Sequence, residues 1–205
     1  MVSIAVPWRG RTQEPEWPVL LTVAVALLLG WLIQSAVLGR MQTAAVGSSS
    51  VTYPARWVAT TESGAAFAAA DLNFGGIFAP RVSVRQVAKS ELMPPEGLPA
   101  AREWSLVDAA TAWSVQRGAE LAGYRILAIE RTQVQGQEAA RVEFAYLAEA
   151  PQGSASGVLP AVMHAVDTLV TSGEQVHILT FAAEKGEFAR LAGLRQRLLS
   201  GWQRA

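Results

Sequence analysis

Residues Trp17 to Gly39 read WPVLLTVAVALLLGWLIQSAVLG, 23 positions without a charged side chain. A helix rises about 1.5 Å per residue, so some 20 apolar residues cover a hydrocarbon core of about 30 Å. Inside that core every backbone N–H and C=O must find its partner within the chain, which selects a single helix. The stretch therefore divides the protein into a short N-terminal tail (1–16), a transmembrane helix (17–39) and the remainder. Trp17 and Trp31 suit interface positions, although Trp31 lies deep for that role. The small residues Ala24, Ala26 and Gly30 offer a surface for close helix packing, and exposure of the same face to lipid is the equal alternative.

A secretory signal peptide is the competing reading, because Thr43-Ala44-Ala45 supplies small residues at which a peptidase cuts. The apolar run exceeds the usual h-region of about 7–15 residues, and the preceding segment is not strongly basic. An uncleaved anchor is the favoured reading. No cysteine is present, which excludes a lipoprotein anchor. Arg9 and Arg11 before the span and Arg40 and Arg56 after it barely discriminate orientation. The commoner arrangement places the tail in the cytoplasm and the C-terminal domain outside, in a single-pass protein of the cell membrane.

The remainder has the size of one domain. With 17 basic and 17 acidic residues the net charge is +0, so no broad field attracts nucleic acid. The absence of cysteine removes disulfides, thiolate metal sites and cysteine nucleophiles. Lysine occurs only as Lys89 and Lys185, a usage that fits a GC-rich bacterial genome.

Residues 40–50 are small and polar, ending Gly47-Ser48-Ser49-Ser50, and predict a flexible tether. Residues 51–205 then predict an α+β domain with an antiparallel β-sheet and packed helices. Short apolar runs broken by Pro54, Gly64, Gly75-Gly76 and Pro80 suggest strands, and Val82 to Val87 alternates. Met93 to Pro99 is a connecting loop. Ser105 with Asp108 three residues on announces a helix, and Leu106, Ala110 and Trp113 recur at its spacing. Arg117 interrupts that stripe, so the far end is expected to be less buried. In Glu138 to Ala148, Val142, Phe144 and Tyr146 point one way and Arg141, Glu143 and Ala145 the other. Val162 to Val170 and Gln175 to Ala182 predict a hairpin around Ser172-Gly173. A last helix is expected from Gly186 to Trp202, with Leu191, Leu194, Leu198 and Trp202 on one side. Arg190, Arg197 and Arg204 recur every seven residues on another side. That stripe is a solvated face or, in the sharper reading, a docking surface for an acidic partner or lipid headgroups.

Several of these segments carry a family likeness. Val51-Thr52-Tyr53-Pro54-Ala55-Arg56-Trp57 looks like an opening Tyr-Pro-x-x-Trp strand. Gly136-Gln137-Glu138-Ala139-Ala140-Arg141-Val142-Glu143-Phe144 looks like a Gly-x-x-Ala strand. Val176 to Ala182 and the helix ending Leu198-Leu199-Ser200-Gly201-Trp202 complete the series. Together, over most of residues 51 to 203, they resemble the PsbP-like superfamily. The resemblance implies an antiparallel sheet with helices on its faces. It also implies a domain that binds or supports protein complexes, photosynthetic or envelope assemblies among them, generally without catalysis. No ligand-binding residue carries over.

The residues themselves announce no chemistry. A hairpin turning at Ser172-Gly173 sets His177 opposite Thr168 and His164 opposite Phe181, on one face but about 13 Å apart at about 3.3 Å per residue. Asp167 points to the other face, so ligand distances of about 2 Å cannot be met and no metal is expected. Gly153-Ser154-Ala155-Ser156-Gly157 holds alanine where a nucleophile elbow needs serine. Gly75-Gly76 lacks the surroundings of a phosphate loop. Glu14 and Glu16 are read as solvated, and Asp71, Glu143 and Glu149 form no evident acid–base pair. The expectation is a protein that is not an enzyme and carries no cofactor. It would be an accessory or scaffolding subunit of a larger bacterial membrane complex, respiratory or photosynthetic, with membrane lipid and other subunits as partners. The alternative is a stand-alone ligand-binding or envelope-maintenance module with a cleft between sheet and helices.

Overall fold

A computed structural model describes residues 17–47, 49–93, 104–149 and 159–204. The tail with Arg9, Arg11, Glu14 and Glu16, the loop positions 94–99 and the segment Gly153 to Gly157 lie outside the described residues. The chain forms two units, Met1–Arg40 and Met41–Ala205. In the first, α1 (Trp17–Leu38) is one unbroken helix of 22 residues. Its described side chains are exposed, and Trp17 to Gln34 is long and apolar enough to cross a membrane. Pro18 sits in the first turn, where its missing N–H costs nothing. The Thr22 hydroxyl donates to the Pro18 carbonyl at 2.8 Å, so this polar group is satisfied within the helix.

The second unit is built on a seven-stranded antiparallel sheet of order β3-β4-β5-β9-β8-β7-β6. One meander supplies β3 (Val58–Thr60), β4 (Phe67–Ala70) and β5 (Arg81–Ala88). Another supplies β6 (Arg125–Val134), β7 (Gln137–Ala148), β8 (Ala161–Ser172) and β9 (Gln175–Glu184). They join where β5 pairs with β9, Val82 opposite Phe181 and Val84 opposite Leu179. Between the meanders, α2 (Leu106–Glu120) covers one face. It starts at the reciprocal capping box of Ser105 and Asp108 foreseen in the sequence. The alternation in β7 also holds: Val142, Phe144 and Tyr146 are buried against α2 with Leu106, Ala110 and Trp113.

The opposite face is covered by α3 (Lys185–Phe188), α4 (Ala192–Ser200) and a small sheet of order β1-β2-β10. That sheet consists of β1 (Met41–Val46), β2 (Ser49–Pro54) and β10 (Gln203–Arg204). The expected tether is thus corrected: β1 pairs with β2 from Met41 opposite Pro54 to Val46 opposite Ser49. Met41, Ala44 and Val46 pack on the core, and Gly47 takes the turn at φ 58°. Only Gly39 and Arg40 lie between α1 and β1.

The single C-terminal helix is corrected as well. Around Leu191 the backbone closes with a tight bond from Ala192 N–H to the Ala189 carbonyl, and α4 starts there without a side-chain cap. The break lets Phe188 turn to the sheet, while Leu191, Leu194, Leu198 and Trp202 still join the core as expected. Gly201 closes α4 against β2: a Cβ there would lie 2.6 Å from Thr52 Cβ, and the Thr52 hydroxyl donates to the Gly201 carbonyl at 2.9 Å.

Candidate functional site

Each face of the large sheet holds a cluster of charge. Under α2, Trp113 and Arg117 stand one turn apart and reach the same point on β8, Asp167. The Trp113 indole N–H donates to Asp167 Oδ2 at 2.6 Å. Thr180, directly opposite Asp167 in the register, donates to Oδ1 at 2.6 Å. Arg117 Nε lies 3.8 Å from Oδ2, an ion pair too long for a hydrogen bond. Arg117 Nη1 donates to Glu120 at 2.9 Å, and Arg85 reaches the same carboxylate at 3.2 Å. Both guanidiniums lie over the Trp113 ring, at 5.6 and 5.7 Å.

Asp167 is 0% exposed and Arg117 5%. Burial raises the Asp167 pKa, and the Arg117 charge and the bonds from Thr180 and Trp113 counter that rise. Tyr124 and Tyr146, on the same face, are also raised by burial. A carboxylate sealed this completely cannot touch a solute, so the cluster organises the core. The expectation that α2 becomes less buried at Arg117 is corrected: the arginine is buried because Asp167 awaits it across the interface.

The histidines lie on the other face. The hairpin turns at Gly173-Glu174, one residue later than expected, so His177 opposes Val170 and His164 opposes Ala183. Val170 is six residues along β8 from His164 (170 − 164), about 20 Å at about 3.3 Å each, farther apart than the sequence reading placed them. Ser49 Oγ lies 3.2 Å from His177 Nδ1, and His164 Nε2 lies 2.8 Å from Glu143 Oε1. Among the described residues no three metal-ligating side chains are gathered.

Beside His164 the structure opens a cavity of about 460 Å³ between α4 and the outer face of β6, β7 and β8. Its floor includes Val166 and Thr168, and its walls carry Arg141 from β7 and Arg195 and Gln196 from α4. Arg141 stands in a row across the sheet, with Glu130 opposite on β6 and Thr168 opposite on β8. It donates to Glu130 at 3.0 Å and to Glu143 at 2.5 Å. The Arg195 guanidinium lies 4.8 Å above the Phe188 ring, and that ring stacks on His164 at 3.8 Å. Burial and then the neighbouring Arg141 charge lower the Arg195 pKa, with Glu143 pulling the other way. At the mouth, Gln135 Nε2 donates to the Ser200 carbonyl at 2.9 Å and to the Trp202 carbonyl at 2.5 Å.

The arginine stripe does not form on one helix. Arg190 lies in the turn between α3 and α4 and donates to Glu187 at 2.9 Å, Arg197 is exposed on α4, and Arg204 belongs to β10. Trp17 and Trp31 are both exposed on α1. Sequence reasoning placed Asp167 on the face away from the histidines, as found, but missed its role and those of Arg85 and Arg195. The first had a signal: a charge between apolar Ala165 and Leu169 on one strand face, matched by the charge that breaks the α2 stripe.

No family model and no curated protein matches this sequence. Among solved structures, the cyanobacterial PsbP of Synechocystis sp. PCC 6803 superposes with a TM-score of 0.55 at 12% identity, over 80% of this chain and 92% of that one. The domain is PsbP-like in fold. LpqN of Mycobacterium tuberculosis, involved in cell envelope biogenesis, gives a looser superposition, with a TM-score of 0.46 at 11% identity over 80% of this chain and 90% of that one. In the PsbP-like domain the antiparallel sheet and its covering helices match the architecture expected from residues 51 to 205.

Proposed function

We propose that the protein is a non-catalytic accessory or scaffolding subunit of a larger bacterial membrane complex, respiratory or photosynthetic. The helix α1 holds it in the cell membrane as a single-pass protein, with the PsbP-like domain on the extracytoplasmic side. The observation that carries this reading is an exposed apolar pair at one end of β7 and β8. There Leu147 and Val162 oppose each other in register on the α4 side of the sheet, 44% and 43% exposed. Clustered apolar side chains left in water mark a protein-binding surface more than isolated ones do. Arg190, Arg197 and Arg204 are proposed as separate contacts for an acidic partner or lipid headgroups, and Trp17 and Trp31 as contacts of α1 with neighbouring helices or lipid.

The test is extraction of native membranes in mild detergent, native electrophoresis and mass spectrometry of the band that carries this chain. Co-migration with defined partners is expected, and Leu147→Glu should release the chain from that band while leaving its thermal unfolding within a few degrees of the parent. Migration of the parent chain alone would sink the reading. A second reading, a ligand-binding module, is favoured by the 460 Å³ cavity, which lies between sheet and helix and within the usual size of ligand sites, about 300–1,000 Å³.

A further inference from the structure

The α4 cavity contains two guanidiniums of unequal standing. Arg141 is neutralised by Glu130 and Glu143, and Glu143 is also engaged by His164. The other carboxylate near α4, Glu187, is taken by Arg190. Among the described residues Arg195 forms no ion pair, although it faces the same cavity as Arg141. Burial and then the Arg141 charge, even with its carboxylate partners, lower the Arg195 pKa, and an anion beside Arg195 offsets both. Arg195 is also held in place, because its guanidinium rests on Phe188 and Phe188 on His164. A cation fixed in advance loses less conformational freedom when it binds. Thr132, Thr168 and Gln196 add hydroxyl and amide groups, while Val134, Val166 and Leu199 supply an apolar wall.

We infer that this cavity is a binding site for a small oxyanion with a hydroxylated body, a phosphate monoester or carboxylate. Arg195 makes the charge-assisted contact, Arg141 adds a second guanidinium, and the threonines and Gln196 take the hydroxyls. The volume exceeds what a bare phosphate needs, which is why the body is polar and larger than the head. The inference rests on the ligand-binding reading of the cavity and holds whether or not the chain is also a subunit. The same headgroup chemistry is available from soluble esters and from anionic lipid.

The experiment is titration calorimetry on the full chain in nanodiscs of zwitterionic lipid, with glycerol 3-phosphate, citrate and glycerol as probes, and a parallel arm in phosphatidylglycerol nanodiscs. Saturable binding of either soluble anion is expected, reduced at least about tenfold by Arg195→Gln, in part restored by Arg195→Lys and unchanged by Arg131→Gln, an exposed β6 arginine opposite Ala140 on the α2 side. Phosphatidylglycerol nanodiscs that occupy the site and abolish the soluble heat, with the abolition itself lost in Arg195→Gln, would support the site and name lipid as its source. Binding of glycerol as tight as that of glycerol 3-phosphate would overturn the inference while leaving the ligand-binding reading intact. No heat with any probe in either nanodisc would sink both, as would anion binding that Arg195→Gln leaves unchanged.

Discussion

The two faces of the seven-stranded sheet carry the same pairing of arginine and carboxylate and treat it in opposite ways. Under α2, Asp167 and Arg117 are sealed by Trp113, Thr180 and the aromatic rings around them. Under α4, Arg141 and Glu143 stay 30% and 24% exposed, Arg141 at the wall of an open cavity, and Arg195 across it forms no ion pair among the described residues. Position on the sheet explains the difference. α2 lays a 15-residue helix with Trp113 at its centre over β7 and β8, whereas the nine-residue α4 follows a helix break at Leu191 and leaves part of β6 and β7 uncovered. Burial turns an ion pair into a fastener. Exposure leaves charge free to meet something else.

The largest effect that tests this contrast is expected at Asp167. Asp167→Ala leaves Arg117 buried with only the partly exposed Glu120 to balance it and strips Trp113 and Thr180 of their acceptor. Breaking one side of a buried pair costs about 3–5 kcal/mol. Denaturant unfolding of the full chain in detergent should show that loss in the transition midpoint. The double variant Asp167→Leu with Arg117→Met should recover most of it, since apolar packing replaces a buried pair at little cost. A single-variant loss below about 1 kcal/mol would mean that the α2 face is no more tightly fastened than the other.

The raised pKa of Asp167 makes a second test, with a fixed sign. The folded protein holds this proton more tightly than the unfolded chain does, so the group's contribution to stability is complete below the ordinary carboxylate range. It is lost as pH climbs from that range through the raised folded value, and it is flat above. Within that window one proton changes stability by about 1.4 kcal/mol per pH unit at most. The difference in unfolding free energy between the parent and Asp167→Asn, followed against pH, isolates this term from the other carboxylates. A difference that grows in the parent's favour as pH rises would contradict the burial argument.

What the sequence revealed divides along similar lines. The alternation of β7 and the Ser105–Asp108 box were legible because neighbours three residues apart or less determine them. Met41 to Val46 was not, since a strand of small and polar residues is ordered only by β2 and the core beneath it. Arg117 and Asp167 each broke a local pattern, and only the fold brings residues 50 positions apart (167 − 117) together to explain both. The α4 cavity had no local signal. It depends on a helix break at Leu191 that leaves the apolar spacing of the C-terminal segment unchanged.

The smallest expected effect lies at Glu130, and it sharpens the comparison most. Its side chain is 52% exposed and bonds Arg141 at 3.0 Å across the β6–β7 pair. Exposed pairs contribute about 0–1 kcal/mol, because water screens the attraction and ordering two long side chains costs entropy. Glu130→Gln should therefore shift the unfolding midpoint by less than about 1 kcal/mol, and added salt should erase even that. Binding should respond in the other direction. Removing this carboxylate leaves Arg141 less neutralised beside Arg195, so an anion in the cavity gains attraction and its affinity rises, most clearly at low ionic strength. A stability loss above about 2 kcal/mol with no gain in anion affinity would show that this pair, too, is a fastener. The two faces of the sheet would then differ in shape but not in chemistry.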